Sequence, residues 1–174
     1  RDRLRLRIQR AKQQQTLLNQ YQEGADVPVG NSSKQQALKQ AADELGVRPV
    51  DLAAVMSLET GGSFNPDIAG GAGGAYRGLI QFGPSEQKTY GWKKGMTFED
   101  QILGPVVRYL KARGVKPGNG VQELYAAILT GNVSNIKQGG LDWKDSFGTS
   151  VRSALPSLTQ GGHYRNAVRF LTSG

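Results

Sequence analysis

The chain has 174 residues, 37% hydrophobic and 21% charged, which suits one soluble domain with a substantial core plus an appendage. The absence of cysteine excludes disulfides and thiolate metal sites, and a single histidine, His163, excludes a His-rich metal site. The net charge is +8, but residues 1–12 carry six basic side chains against Asp2, so the other 162 residues hold only +3. A terminal feature of this kind argues against nucleic-acid binding by the main domain.

Residues 1–22, RDRLRLRIQRAKQQQTLLNQYQ, contain no Gly or Pro and read as a helix, with Leu4, Ile8, Ala11, Gln15 and Leu18 in a heptad spacing. It suits the end of a longer rod or a packed accessory helix, with a membrane-surface or nucleic-acid arm as the alternative. The opening on Arg1 reads as a piece of something longer. A linker follows, EGADVPVGN, in which Gly24, Pro28 and Gly30 break any helix, so residues 1–31 are set apart from a domain over 32–174. Ser32 or Ser33 caps a helix through Leu45 that Gly46 closes, and Pro49 opens the next helix, which ends at Gly61 and Gly62. A Gly-rich loop, GGAGG (70–74), precedes GLIQF (78–82), the best strand candidate. Further helices are expected near 97–113, 121–130 and 162–172. No internal repeat, no signal-peptide pattern and no apolar run near the roughly 18 residues of a membrane span is present. The expected fold is a small, mainly α domain.

Glu59 is the residue that asks for a reason. At about 100° per residue, Leu52, Val55, Met56 and Glu59 share one arc of roughly 100°, so the carboxylate points along an apolar stripe. Burial there disfavours the charged form, and the negative end of the helix dipole pushes the same way. Gly61 and Gly62 let the chain turn sharply and leave room beside the carboxyl. A protonated acid next to open space suits general acid catalysis, although a Glu paired with Arg or capped by backbone amides would also explain the position. The Gly-rich loop lacks the Gly-Lys-Ser/Thr ending of a phosphate loop and follows a helix, so it reads as a flexible connection. No Gly-x-Ser-x-Gly elbow accompanies His163, which reads as a surface residue of its helix. Phe64, Tyr76, Phe82, Tyr90 and Trp92 crowd near Glu59, as core or as rings that stack on sugar faces.

Together, LETGGSFNP (58–66) and GLIQF (78–82) resemble the signature of the lysozyme-like superfamily, and of the soluble lytic transglycosylase domain in particular. That family's pattern runs Glu-Ser-x-Phe-x-Pro, a short loop, then Gly-Leu-Met-Gln. Glu59, Phe64, Asn65, Pro66, Gly78, Leu79 and Gln81 match it in type and order. AAILTG (126–131) stands where the family has Ala-Ala-Tyr-Asn-Ala-Gly, and HYRNAVRFL resembles its closing helix, so the similarity covers roughly residues 33–172. Thr60 replaces the usual Ser, while Ile128 and Leu129 replace the Tyr-Asn pair; Tyr125, one turn earlier, is a substitute for the lost Tyr.

The resemblance implies a lysozyme-like α+β variant of the helical fold, with a short β or irregular segment beside the groove. It implies cleavage of the MurNAc–GlcNAc β-1,4 bond of peptidoglycan with Glu59 as acid and base and no cofactor or metal. Gln81 and the backbone at Gly78 would hold the sugar, and Phe64, Phe82, Tyr125 and Tyr164 would shape the groove. Hydrolysis as in a lysozyme is the alternative, with Asp67, Glu86 or Asp100 as second carboxylate. A non-catalytic wall-binding or structural virion module is the other. The implied partners are glycan strands and the remainder of a larger parent or virion assembly, acting at the bacterial envelope.

Overall fold

The computed structural model describes residues 2–20 and 26–173, with side chains left aside at 11 and 13–20. Residues 1 and 21–25, including Gly24 of the expected linker, lie outside the described residues, as do the side chains of Ala11, Gln15 and Leu18 in the expected seam.

Helix α1 (Asp2–Gln20) forms where the Gly- and Pro-free stretch requires it. Its Leu4, Leu6 and Ile8 remain exposed at 62%, 50% and 47%, so this apolar stripe is not part of the core. The packed body begins at Val27, which is buried in the main core. The Gly30 N–H donates to Leu171 O at 2.8 Å, and Gln35 Nε2 donates to Phe170 O at 2.9 Å. A boundary drawn at Ser32 therefore falls inside the packed body, because Val27 supplies an apolar side chain that composition around Pro28 and Gly30 hides.

Helix α2 (Ser33–Leu45) starts at the expected cap: Ser32 and Gln35 form a reciprocal capping box, and Gly46 closes the helix in a left-handed conformation. Helix α3 (Pro49–Glu59) has Pro49 in its first turn, where Arg48 Nε and Nη2 grip Asp51, each at 3.0 Å. The single apolar stripe expected for α3 is an understatement. Every residue from Val50 to Ser57 is buried, so this is a central helix apolar on all sides. It packs most extensively on α9 and also meets α7, α2 and α8.

A two-residue antiparallel ladder, β1 (Ala69–Gly70) with β2 (Tyr76–Arg77), brackets the Gly-rich segment, which carries a 3-10 turn over Ala72–Gly74. GLIQF is not a strand. It is a tight loop clamped at its ends, with Arg77 and Phe82 exchanging both backbone hydrogen bonds at 2.9 and 2.7 Å. Helix α4 (Pro84–Tyr90) follows. The helix expected near 97–113 is divided into α5 (Phe98–Gln101), a π turn over Ile102–Val106 and α6 (Val107–Ala112). Pro105 sits in the π turn, where its missing N–H breaks the regular ladder. Helix α7 (Val121–Leu129) leads through 3-10 turns over Val133–Gln138 and Gly140–Asp142 to α8 (Val151–Thr159) and α9 (Gly162–Thr172). The fold is mainly α with one short two-stranded sheet among the described residues. No described helix is long and apolar enough to cross a membrane.

Candidate active site

Glu59 is the last residue of α3, and the chain leaves the helix at once. Gly61 (φ 60°) and Gly62 (φ 81°) take left-handed conformations that side chains other than glycine rarely adopt. Thr60 locks this exit: it is buried, its Oγ1 donates to Met56 O at 2.8 Å, and the same oxygen accepts from Phe64 N at 2.9 Å. Ser63 Oγ then donates back to Thr60 O at 2.8 Å. The hydroxyl needed here is one that a Thr supplies as well as a Ser, so the Thr60 departure keeps the local wiring.

Glu59 is half-buried, between the enclosed interior of α3 and the exposed exit turn. Its pKa is raised from 4.5 to about 8, first by burial and then by the negative charge of Asp145. No Arg or Lys is paired with Glu59 in the recorded ion pairs of the described residues, which removes the paired-Glu explanation for its position. Tyr125, buried on α7, has its hydroxyl pushed up by burial and then by the Glu59 and Asp145 charges. Tyr109 on α6 is pushed up to about 12, mainly by burial, with Arg113 opposing and Glu86 and Glu59 adding. Two phenols from different helices thus feel the Glu59 charge.

A groove of about 280 Å³ opens beside this cluster. Its walls include Tyr76, Gln81, Phe82, Tyr109, Arg113 and the end of α7 at Ile128 and Leu129. Glu59 is not one of its walls, but Tyr109, whose hydroxyl feels the Glu59 charge, is. Arg113 lies over the Tyr109 ring, 4.8 Å from its centroid, and its Nη2 sits 3.5 Å from Glu86 Oε1. A larger cavity of about 410 Å³, near Lys116 and Gln122, contains none of the expected site residues.

The expected site residues divide in two. Gln81 and Phe82 line the groove. Gln81 holds a positive φ of 56°, and its Nε2 donates to Gly78 O at 3.0 Å and Ile68 O at 3.3 Å. Phe82 is buried and meets Tyr109 edge-to-face at 5.8 Å. Gly78 is itself buried, and a Cβ there would lie 2.6 Å from Trp92 Nε1 and 2.7 Å from Gln101 Oε1. It is glycine for close packing. Phe64 stacks on Phe170 with ring centroids 4.4 Å apart, so it joins α3's exit turn to α9. Tyr164 is buried on α9.

Two residues went unread in the sequence, Gln101 and Asp145, and a third, His163, reads there as a surface residue. Gln101, fully buried, accepts from Leu79 N at 2.7 Å and donates to Pro66 O at 2.8 Å, stapling the two motif segments together. His163 is not a surface residue: it is half-buried, with Nδ1 2.8 Å from Ser57 Oγ, which also accepts from Asn166 Nδ2 at 3.0 Å. Burial lowers its pKa, and the set ties α9 to α3 within one turn of Glu59. Asp145, rather than Asp67, Glu86 or Asp100, is the carboxylate that loads Glu59. Asp67 accepts from Gly95 N, Glu86 faces Arg113, and Asp100 is exposed in the first turn of α5. The only signal for Asp145 is its place between Trp143 and Phe147.

No protein-family model, curated protein or solved structure matches the chain.

Proposed function

We propose that this chain cleaves the β-1,4 bond between MurNAc and GlcNAc in peptidoglycan, as a lytic transglycosylase with Glu59 as the single acid and base. The observation that carries the reading is an acid whose pKa is raised to about 8, so that it holds its proton at neutral pH, at the half-buried end of an enclosed helix. In that state it gives its proton to the glycosidic oxygen as the C1–O bond breaks and positive charge spreads over C1 and the ring oxygen. The resulting carboxylate stabilises that charge, then takes the proton of the MurNAc C6 hydroxyl as its oxygen attacks C1. The product is a 1,6-anhydro end, and Glu59 regains its proton. Gln81 and Phe82 supply groove wall, and burial together with the Asp145 charge keeps the carboxyl in its neutral form.

Ile128 and Leu129, standing in place of the family's Tyr-Asn pair, leave the end of α7 apolar along the groove. Tyr125, which feels the Glu59 charge, takes over the role of a phenol beside the acid. One observation favours hydrolysis as a second reading: Asp145 places a second carboxylate in electrostatic contact with Glu59. We place the action at the bacterial envelope, on glycan strands, with the domain carried by a larger parent such as a phage virion assembly. The exposed Leu4, Leu6 and Ile8 of α1 offer a surface for that attachment.

The test is a zymogram on peptidoglycan with wild type and Glu59→Gln side by side. Wild type should clear the gel, and the variant should lose about 10²–10⁴-fold in rate. Full clearing by Glu59→Gln removes the assignment, and no clearing by wild type leaves only a wall-binding module. Mass spectrometry of the released fragments separates the two chemistries, with anhydro ends for transglycosylation and reducing ends for hydrolysis.

A further inference from the structure

Between Asp142 and Ser150 the chain runs through a short loop that leaves two aromatic rings in solvent, Trp143 at 41% and Phe147 at 84% exposure. Among the described residues these are the only exposed Phe and Trp. The loop that carries them is tightly bonded. Asp145 Oδ1 accepts from Phe147 N at 2.8 Å and Thr149 N at 2.9 Å. Asp145 N donates to Thr149 O at 2.8 Å, Gly148 N to Asp145 O at 3.1 Å, and Trp143 N to Gly140 O at 3.2 Å. Arg152 Nε holds Asp142, at the head of the loop, at 2.7 Å. A backbone fixed in this way presents its rings with little left to order on binding.

The loop also carries a carboxylate. Asp145, midway between the rings, is the residue whose charge reaches Glu59 and Tyr125. Its Oδ1 is engaged by the two amides, which leaves Oδ2 as a free acceptor. Lys144, Asp145 and Ser146 separate the two aromatics, so the surface is not the continuous apolar patch that a protein partner would cover. Rings interleaved with a carboxylate match a ligand that has C–H faces and N–H and O–H donors on one body, which is the chemistry of a sugar chain.

We propose that the Trp143–Gly148 loop is a saccharide-binding surface, on which Trp143 and Phe147 stack on β-1,4-linked N-acetylhexosamine units and Asp145 Oδ2 accepts their N–H or O–H groups. The inference rests on the glycan-cleaving reading for its ligand, and its test separates the two. The chain has two tryptophans, and Trp92 is buried at 8% exposure, so Trp143 is a local fluorescent reporter. Glu59→Gln protein, which spares the ligand, is titrated with the β-1,4 hexamer of N-acetylglucosamine while tryptophan emission is followed. A saturable change is expected, and it should vanish in a Trp143→Phe background. Phe147→Ala keeps the reporter and should weaken binding roughly tenfold, while Asp145→Asn, which keeps the Oδ1 acceptor, should weaken it roughly threefold to tenfold. Phe147 is too exposed for its loss to unfold the domain, and a matching melting temperature checks this. No emission change, or equal affinity in Phe147→Ala and its parent, overturns the inference. Binding through the loop by a protein that releases no sugar from walls would keep this inference and remove the proposed chemistry. An active enzyme whose Phe147→Ala variant binds and turns over unchanged would do the reverse.

Discussion

Replacing Glu59 by Gln keeps the shape of the side chain and removes its ionisation, which isolates the cost of holding a carboxyl in the α3 exit. The folded group titrates at about 8 and the unfolded one near 4.5. Between those values the folded protein keeps a proton that the unfolded chain has released, so stability falls as pH rises through this window. Below the window both states are protonated and nothing is lost; above it the loss is complete. At about 1.36 kcal/mol per pH unit the ceiling is about 5 kcal/mol, and the partial exposure of Glu59 reduces a realistic figure to about 3 kcal/mol. Gln carries no such loss at any pH. Its own hydrogen-bonding cost enters at every pH and cancels from the pH dependence. Relative to their difference near pH 4, below the window, the variant should therefore gain on the order of 10 °C over wild type near pH 9. Parallel pH profiles for the two proteins would refute the reasoning, because they would mean that Glu59 titrates alike in the folded and unfolded states.

Two further changes test the scaffold. Gly78→Ala should cost about 2–4 kcal/mol in urea unfolding, since the new Cβ meets Trp92 and Gln101 and the φ of 88° is itself unfavourable. Gly95→Ala, with a similar φ of 85° and nothing within 4 Å, should cost only about 1 kcal/mol, and equal losses would mean that packing is not the reason for Gly78. A chain beginning at Asp26 should melt with the full-length protein. One beginning at Ser32 loses Val27 and the Gly30–Leu171 hydrogen bond and should drop by about 2–3 kcal/mol; identical melting of the two would put Val27 outside the core.

The helical framework was legible because its punctuation is local. Ser32, Gly46, Pro49 and the Gly61–Gly62 pair mark ends that depend only on nearby residues, and each lies at an observed end or exit. Helix α8 was missed although Ser150 and Ser153 form a capping box, because Pro156 sits inside it and a Gly pair follows. GLIQF looked like a strand from its apolar side chains, yet Gly78 and Gln81 both need positive φ, which no apolar count reports. At the site, Glu59 was visible from helix phase alone. Gln101 and His163 were not, since their partners lie 22 and 106 residues away and only the assembled fold brings them together. Phe64 and Gly78 looked like ligand contacts and instead pack, because a motif spacing does not say whether a residue serves the substrate or the turn that presents the acid.

That last ambiguity points to how this site is built. A Glu one turn earlier in α3 would be enclosed like Met56 and Val55, where a charge has no outlet at all. A Glu beyond Gly62 would stand in solvent and be ionised at neutral pH, useless as a proton donor. The last position of the helix lies between these limits, half-buried where the left-handed pair turns the chain away. The result is a pKa of about 8, near enough to neutrality for the proton exchange that the proposed chemistry asks of the group. Thr60, Ser63, Phe64 and the Ser57–His163–Asn166 set all act on that one geometry, fixing the exit from inside and anchoring it to α9. The stability given up at Glu59 is thus offset by the packing of the same helix, whose Leu52, Val55 and Met56 each contribute about 1.5–3 kcal/mol on burial. A helix less completely buried would tolerate the acid more easily and would leave it too close to 4.5 for the proposed role.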